Sequence, residues 1–305
     1  MDVADRVVGS VLGLALGDAL GAPFEFSRAS EVPDPVPALE RRWMDLPPGS
    51  TTDDTAMARN LVRSLAARGG FDPKELVARH LEWFRSNPPD VGSLTRRVLK
   101  RVDEGEDAFE AARAVWDERG PEVSAGNGSV MYCAPLGLAY ANRPEELFEV
   151  APQLSALTHY DERCGTAVLA VTSVAAALVR GEAPEDAVRA ALLAVEDREG
   201  GEELEYLVEA AGGARRIDGP DQGFCLFTAG VALQSLLGSG DYETEVRRVV
   251  SLGGDTDTNA AVAGALVGTR VGEAGLPAEW LERLRDREVI HAEADSLARL
   301  AQRTE

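Results

Sequence analysis

Aromatic residues make up only 6% of this 305-residue sequence, cysteine and histidine occur 3 times each, and the formal charge is −21. Each scarcity excludes something. With 31 Lys and Arg against 52 Asp and Glu, no generic grip on a nucleic-acid backbone or an anionic membrane surface is expected. Cys133, Cys164 and Cys225 lie far apart with no CxxC spacing, so they read as reduced core fillers of a cytoplasmic protein. The early apolar run from Val7 to Leu16 is too short to cross a bilayer and follows Asp2 and Asp5 instead of a basic stretch. Neither a secretion signal nor a membrane span is expected. Alternating strand patterns with tight hairpin turns are scarce as well.

What is present is helical. Hydrophobic residues at 45% and charged residues at 27% suit a globular chain with a sizeable core. Val3, Val7, Val8, Val11, Leu12 and Ala15 trace one helical face, while Gly9, Gly13, Gly17 and Gly21 recur every four residues and leave a bare ridge for a close neighbour. Further helices are expected over Asp54 to Ala67, Pro73 to Phe84, Ser93 to Val102, Asp107 to Trp116, Cys164 to Val179, Pro184 to Val195, Asp221 to Leu237 and Thr258 to Val271. Pro73 and Pro184 stand where helix-starting prolines belong, and Gly70, Gly181 and Gly238 near expected stops. No linker or fixed-period repeat interrupts the chain. An all-α single domain over 1–305 is the expectation.

Two acidic clusters stand out. Residues 49–60 read GSTTDDTAMARN and residues 253–260 read GGDTDTNA; each mixes carboxylates with threonine hydroxyls and runs into a helix of small residues. Alone, either reads as a helix start in which one Asp caps the first turn and its neighbour is solvated. As a matched pair they read differently. Converging carboxylates repel unless a cation sits among them, and oxygen-only ligands select Mg²⁺, Ca²⁺ or Mn²⁺. An EF-hand starting at Asp255 fails because Ala260 and Leu266 stand where Gly and Glu are needed. A DxDx(T/V) phosphatase fits poorly, since Gly253 and Gly254 separate the acids from the apolar run before them and Asn259 takes the fifth place.

The ordered motifs GLALGDALGAPFEF (13–26), TTDDTAMA (51–58), PDVGSLTRR (89–97), GNGSVMYCAPLGL (126–138), THYDERCGTAVLA (158–170) and GGDTDTNAAVAGALVG (253–268) resemble the ADP-ribosylglycohydrolase family, which includes the dinitrogenase reductase-activating glycohydrolases. The resemblance covers nearly the whole chain. It implies an all-α domain holding two Mg²⁺ (or Mn²⁺) ions at the bottom of an ADP-ribose cleft and hydrolysing an N- or O-glycosidic bond. It implies Thr52, Asp53, Asp54, Asp255, Asp257 and Thr258 as metal ligands, adjacent carboxylates each leaning toward a different ion. Glu25 resembles a glutamate flap near the metals, and Asp90 an aspartate that serves as general base, against a plain reading as the cap of the helix near Ser93. Gly92, Gly126, Asn127, Gly128, Ser129, Met131 and His159 resemble ligand-contacting positions, with the Gly-rich turn at 126–129 opening a helix and offering backbone N–H groups to a diphosphate. Tyr132 departs from the arginine common in the family; His80 and His291 read as structural.

Two functions of different class follow. The first is Mg²⁺-dependent release of ADP-ribose from a modified protein residue or an ADP-ribose-containing small molecule. Arginine-linked ADP-ribose is preferred over serine-linked or O-acetyl forms because of Asp90. The alternative is a silent, crystallin-like relative that binds ADP-ribose without cleaving it.

Overall fold

The first and thirteenth helices of the chain touch along bare backbone, and that seam organises everything else. In the computed structural model, which describes residues 1–199, 201–215 and 223–303, the order is α1 Val3–Gly21, α2 Asp53–Arg68, α3 Pro73–Arg85, α4 Ser93–Asp103, α5 Ala108–Arg119, α6 Ala134–Ala139, α7 Pro144–Ala156, α8 Glu162–Val179, α9 Pro184–Glu199, α10 Glu202–Ala211, α11 Cys225–Leu237, α12 Tyr242–Ser251, α13 Thr256–Val271, α14 Ala278–Arg283 and α15 Arg287–Ala301. A methyl at Gly13 would overlap the carbonyl of Gly264, one at Gly17 that of Ala260, and one at Gly21 that of Thr256. The glycine ridge is therefore a backbone-to-backbone contact, reciprocated by Gly264 and Gly268 of α13. Side-chain bonds pin its register: Ser10 donates to the Ala265 carbonyl at 3.0 Å, Tyr242 to that of Gly13 at 2.5 Å, and Thr256 to that of Gly21 at 2.8 Å.

Around this seam pack α2, α6, α8, α11, α12 and α15, and one continuous apolar core joins them. The expected helices all form, most of them longer by one to three residues. For the segment from Asp221, the first two residues fall outside the described ones and the helix begins at Cys225. Helices α6, α7, α10, α12, α14 and α15 were not expected. Cys133, Cys164 and Cys225 are buried free thiols, as anticipated.

The first helix runs well beyond the Val7–Leu16 stretch. Together with its 3-10 extension it makes a 22-residue segment, Val3–Phe24, long and apolar enough to cross a membrane, as is Glu162–Val179. Burial against the rest of the chain accounts for them: 94% of the first window and 83% of the second lie inside the fold. A two-stranded antiparallel ribbon, β1 Ser27–Arg28 with β2 Gly253–Gly254, also escaped the sequence reading because two residues are too few to show a period. It ties the chain after α1 to the loop before α13.

Candidate functional site

The N-terminus of α2 is crowded with carboxylates that do not cap it in the ordinary way. Thr52, not an aspartate, is the N-cap, its hydroxyl accepting from Asp54 N–H at 3.4 Å. Asp18, wholly buried in α1, accepts from Thr52 N–H through both oxygens (3.0 Å each), from Thr55 N–H at 3.1 Å and from the Thr55 hydroxyl at 2.5 Å. Asp90 accepts from Asp53 N–H at 3.3 Å, and Asp53 in turn accepts from Gly92 N–H at 3.1 Å. The exposed amides of the first turn thus serve Asp18, Thr52 and Asp90, which leaves Asp53 and Asp54 no capping duty there. Asp90 does not cap α4, whose N-cap is Gly92. It braces the α2 loop instead.

The N-terminus of α13 is wired with neutral donors. Asp255 occupies its N-cap position, and Asn127 donates to the Asp255 carboxylate at 2.8 Å and to the Thr228 hydroxyl at 2.9 Å. Thr228 donates onward to Asn259 at 2.7 Å. The two clusters meet: Thr258 of α13 donates to Asp54 of α2 at 3.5 Å, and the same Asp54 oxygen accepts from Thr52 at 3.1 Å.

Glu25, Asp53, Asp90, Asp255, Asp257 and Thr258 line a cleft of about 550 Å³. Thr52 and Asp54 lie directly behind that lining. Burial raises every one of these acids. Asp53 is pushed up to about 7, next by the charge of Asp90; Glu25 to about 7, next by Asp255, Asp53 and Asp90; Asp90 and Asp18 each to about 6. Asp54, Asp255 and Asp257 are raised as well, Asp54 and Asp257 far above the carboxylate range. Such a cluster costs folding free energy unless something positive joins it.

The cleft is lined further by Gly126, Asn127, Gly128, Met131 and His159, and Asn127 reaches the acids through its bond to Asp255. A methyl at Gly128 would stand 2.8 Å from Cε1 of His159, so the glycine makes room for the imidazole. His159 is buried, its Nδ1 paired with the Thr158 hydroxyl at 2.9 Å and its pKa lowered to about 4 by burial, so it serves as a neutral ring. Gly92 lines the same cleft. Two expectations need correction. The 126–129 stretch does not open a helix directly: turns follow it, and α6 starts only at Ala134. Ser129 is fully buried with its hydroxyl against that of Ser155 at 2.9 Å, off the cleft lining, because the turns rotate it into the core. Tyr132 is likewise internal, edge-on to His80 with ring centroids 5.3 Å apart, and takes the place of no polar cleft contact.

Asp18 was missed, although a signal was there: it is the one charged residue between Val7 and Phe24. Trp43, a buried residue that opposes part of the upward shift of Glu25, carried no sequence signal. A second hollow of about 690 Å³ beside Trp116, Tyr160 and Arg163 holds none of the converging acids.

Among the described residues no three His, Cys, Asp or Glu side chains close into a ready-made cation cage. The donor set nevertheless suits a hard cation. Oδ1 of Asp54 and Oδ1 of Asp257, one from each cluster, are buried polar atoms without a hydrogen-bond partner, an arrangement that folded proteins avoid unless another ligand is served. The two uncaged oxygens and the missing cage agree if like charges hold the carboxylates apart, and the orphaned oxygens carry the argument because burial fixes them individually.

The fold is all-α, and its cleft joins a cluster of buried acids to a neutral, glycine-rich stretch. The family model for ADP-ribosylglycohydrolase matches residues 1–305, and the chain belongs to that family, whose members hydrolyse ADP-ribose linkages. It is 30% identical to an ADP-ribosyl-dinitrogen reductase glycohydrolase of Rhodospirillum rubrum, covering 98% of this chain and 97% of that one. Human ADP-ribosylhydrolase ARH3 is 28% identical over 98% of this chain and 94% of its own, and an ADP-ribosylarginine hydrolase, Tri1 of Pseudomonas putida, 28% identical over 92% and 74%. A solved structure titled ADP-ribosylglycohydrolase-related protein complex superposes with a TM-score of 0.82 at 35% identity, covering 99% of both chains. The enzyme reading, and not the silent relative, is the one these matches carry.

Proposed function

We propose that this hydrolase requires two divalent cations, Mg²⁺ with Mn²⁺ as substitute, and releases ADP-ribose from arginine-linked conjugates on protein in the cytoplasm. The pair of partnerless buried oxygens, Asp54 Oδ1 and Asp257 Oδ1, carries the metal reading. Thr52, Asp53, Asp54, Asp255, Asp257 and Thr258 would hold the ions, which supply fixed positive charge to orient ribose hydroxyls and polarise a water. The other groups are the protein's own. Glu25 and Asp90 line the same cleft; with values of about 7 and about 6, either can accept a proton from water near neutral pH. The neutral imidazole of His159 and the amides of Gly126 and Gly128 offer donors to the far part of an extended, anionic ligand, the Asn127 N–H being taken by the Gly223 carbonyl.

Arginine is favoured by charge. On cleavage of the bond to ribose a guanidinium conjugate gives an oxocarbenium-like centre and a neutral guanidine. The attacking water gives its proton to Asp90 or Glu25, which passes it to the guanidine, so the product ends as a guanidinium cation beside those carboxylates. The Tri1 relative's name, ADP-ribosylarginine hydrolase, supports the same choice. Serine-linked and O-acetyl substrates are the second reading, in which Asp90 is only the brace of the α2 loop. Release of ADP-ribose from arginine-linked, serine-linked and O-acetyl conjugates, each with Mg²⁺ and with chelator, tests both parts. Release from arginine only with Mg²⁺ is expected; cleavage of serine conjugates without arginine conjugates contradicts the linkage, and full activity under chelation contradicts the metals.

A further inference from the structure

Two large apolar side chains stand exposed at the mouth of the cleft, and the backbone holds them there at a cost. Phe26 is 82% exposed at φ 63° and Met44 is 63% exposed at φ 48°; both line the cleft. Positive φ is unfavourable for any residue with a Cβ, and exposing a phenyl ring or thioether to water gains nothing in return. Local structure over-determines both positions. Phe26 N–H donates to the Gly254 carbonyl at 2.7 Å, next to the ribbon that locks Ser27 opposite Gly254. Met44 forms the tip of a tight turn closed by Leu46 N–H to the Trp43 carbonyl at 2.9 Å, and Trp43 beside it is buried. Strained residues kept in this way gather at sites of contact.

The position selects the occupant. Phe26 follows Glu25 directly and its N–H bonds the Gly254 carbonyl next to Asp255, and Met44 lines the same cleft, so both side chains border the space that the carboxylates share. On the proposed placement of the scissile bond among the carboxylates, the group leaving from ADP-ribose must exit between them. The ribose and diphosphate beside the scissile bond gain little from exposed hydrocarbon, and the adenine, which would stack on an aromatic ring, is at the other end of the ligand; a polypeptide gains much, and aromatic and Met side chains are typical anchors for one. We infer that Phe26 and Met44 form a docking rim for the polypeptide around the ADP-ribosylated residue, and so set the enzyme's preference for modified protein over small ADP-ribose conjugates.

The inference rests on that placement of the bond, but not on which residue is modified. Its test is a comparison of kcat and KM for the parent and the Phe26→Gly, Met44→Gly double variant on two matched pairs: ADP-ribosylated protein against ADP-ribosyl-arginine, and ADP-ribosylserine peptide against ADP-ribosylserine. Glycine adopts the positive φ freely, so the melting temperature stays level or rises. The KM for the polypeptide member is expected to rise about tenfold or more at unchanged kcat, with the small member altered by less than about twofold. Equal losses on both members would assign the side chains to ADP-ribose and overturn the rim, as would no change on either. A fall in melting temperature with losses on both would make them structural. If the parent cleaves only the serine pair, the arginine preference fails and the rim is decided on that pair; if it cleaves small conjugates but no polypeptide, the rim is wrong.

Discussion

The helix starts at α2 and α13 share a Thr-rich acidic run, yet the protein holds them in opposite ways. The α2 loop is held by other acids: Asp18 from α1 and Asp90 from the loop before α4 take its first-turn amides. The α13 loop is held by neutral groups, the Asn127–Thr228–Asn259 relay on one side and Thr256 against the end of α1 on the other. Amides at a helix N-terminus offset part of the charge of Asp18 and Asp90, whereas the relay adds no charge to Asp255. The lesson is that the negative charge is concentrated on the α2 side, with α13 completing it.

The comparison breaks most visibly if one orphaned carboxylate goes. Asp54→Ala and Asp257→Ala are each expected to cut ADP-ribose release by about a thousandfold and to abolish the melting-temperature rise given by Mg²⁺. Both variants should melt higher than the parent in chelator near neutral pH, because burial forces each of these acids to take up a proton on folding, a cost that alanine does not carry. Next comes Asp90→Asn, which keeps a brace but loses the charge: release from arginine conjugates should fall about a hundredfold while Mg²⁺ affinity changes by less than about tenfold.

The support of each loop can then be weakened separately. Asp18→Asn leaves one oxygen acceptor where two serve four bonds, and Mg²⁺ affinity measured by calorimetry should fall about tenfold. Gly21→Ala acts on the other loop, since its methyl would stand 2.5 Å from Asp257 N; a loss of about 1–3 kcal/mol in denaturant unfolding is expected, with weaker Mg²⁺ binding. The smallest effect is that of pH. Native values near 6 for Asp18 and Asp90 and near 7 for Asp53 and Glu25 lie above the ordinary 3.8 to 4.5. Folding is therefore helped by these groups when they are protonated, fully below about pH 4, and that help is lost as pH rises through 6 to 7. Melts in chelator should drop over this window, and the Mg²⁺-induced rise should grow across it, because the cation needs ionised ligands.

Much of this was legible in the sequence because it rests on local period and on rare pairings. The four-residue spacing of Gly9, Gly13, Gly17 and Gly21 announced a close seam, and the paired Thr-Asp runs announced a shared site. What stayed hidden depends on distant partners. The two-residue ribbon between Ser27–Arg28 and Gly253–Gly254 has no pattern to read, and it helps tie the Glu25 segment to the α13 loop. The course of 126–133 through turns, which sends Ser129 and Tyr132 into the core, is set by neighbours such as Ser155 and His80 and not by local propensity. The plain alternative to Asp90 as a general base was a cap for its own helix; Gly92 holds that position and Asp90 braces the α2 loop, a distinction no spacing within PDVGSLTRR contains.

The central claim is that the α2 and α13 loops form one cation site. Titration of the metal-free protein with Mn²⁺, followed by electron paramagnetic resonance, tests it most directly. Two Mn²⁺ per chain with the broadened signal of a spin-coupled pair, lost in both Asp54→Ala and Asp257→Ala, is the result expected. An isolated-ion spectrum that survives either substitution would contradict it.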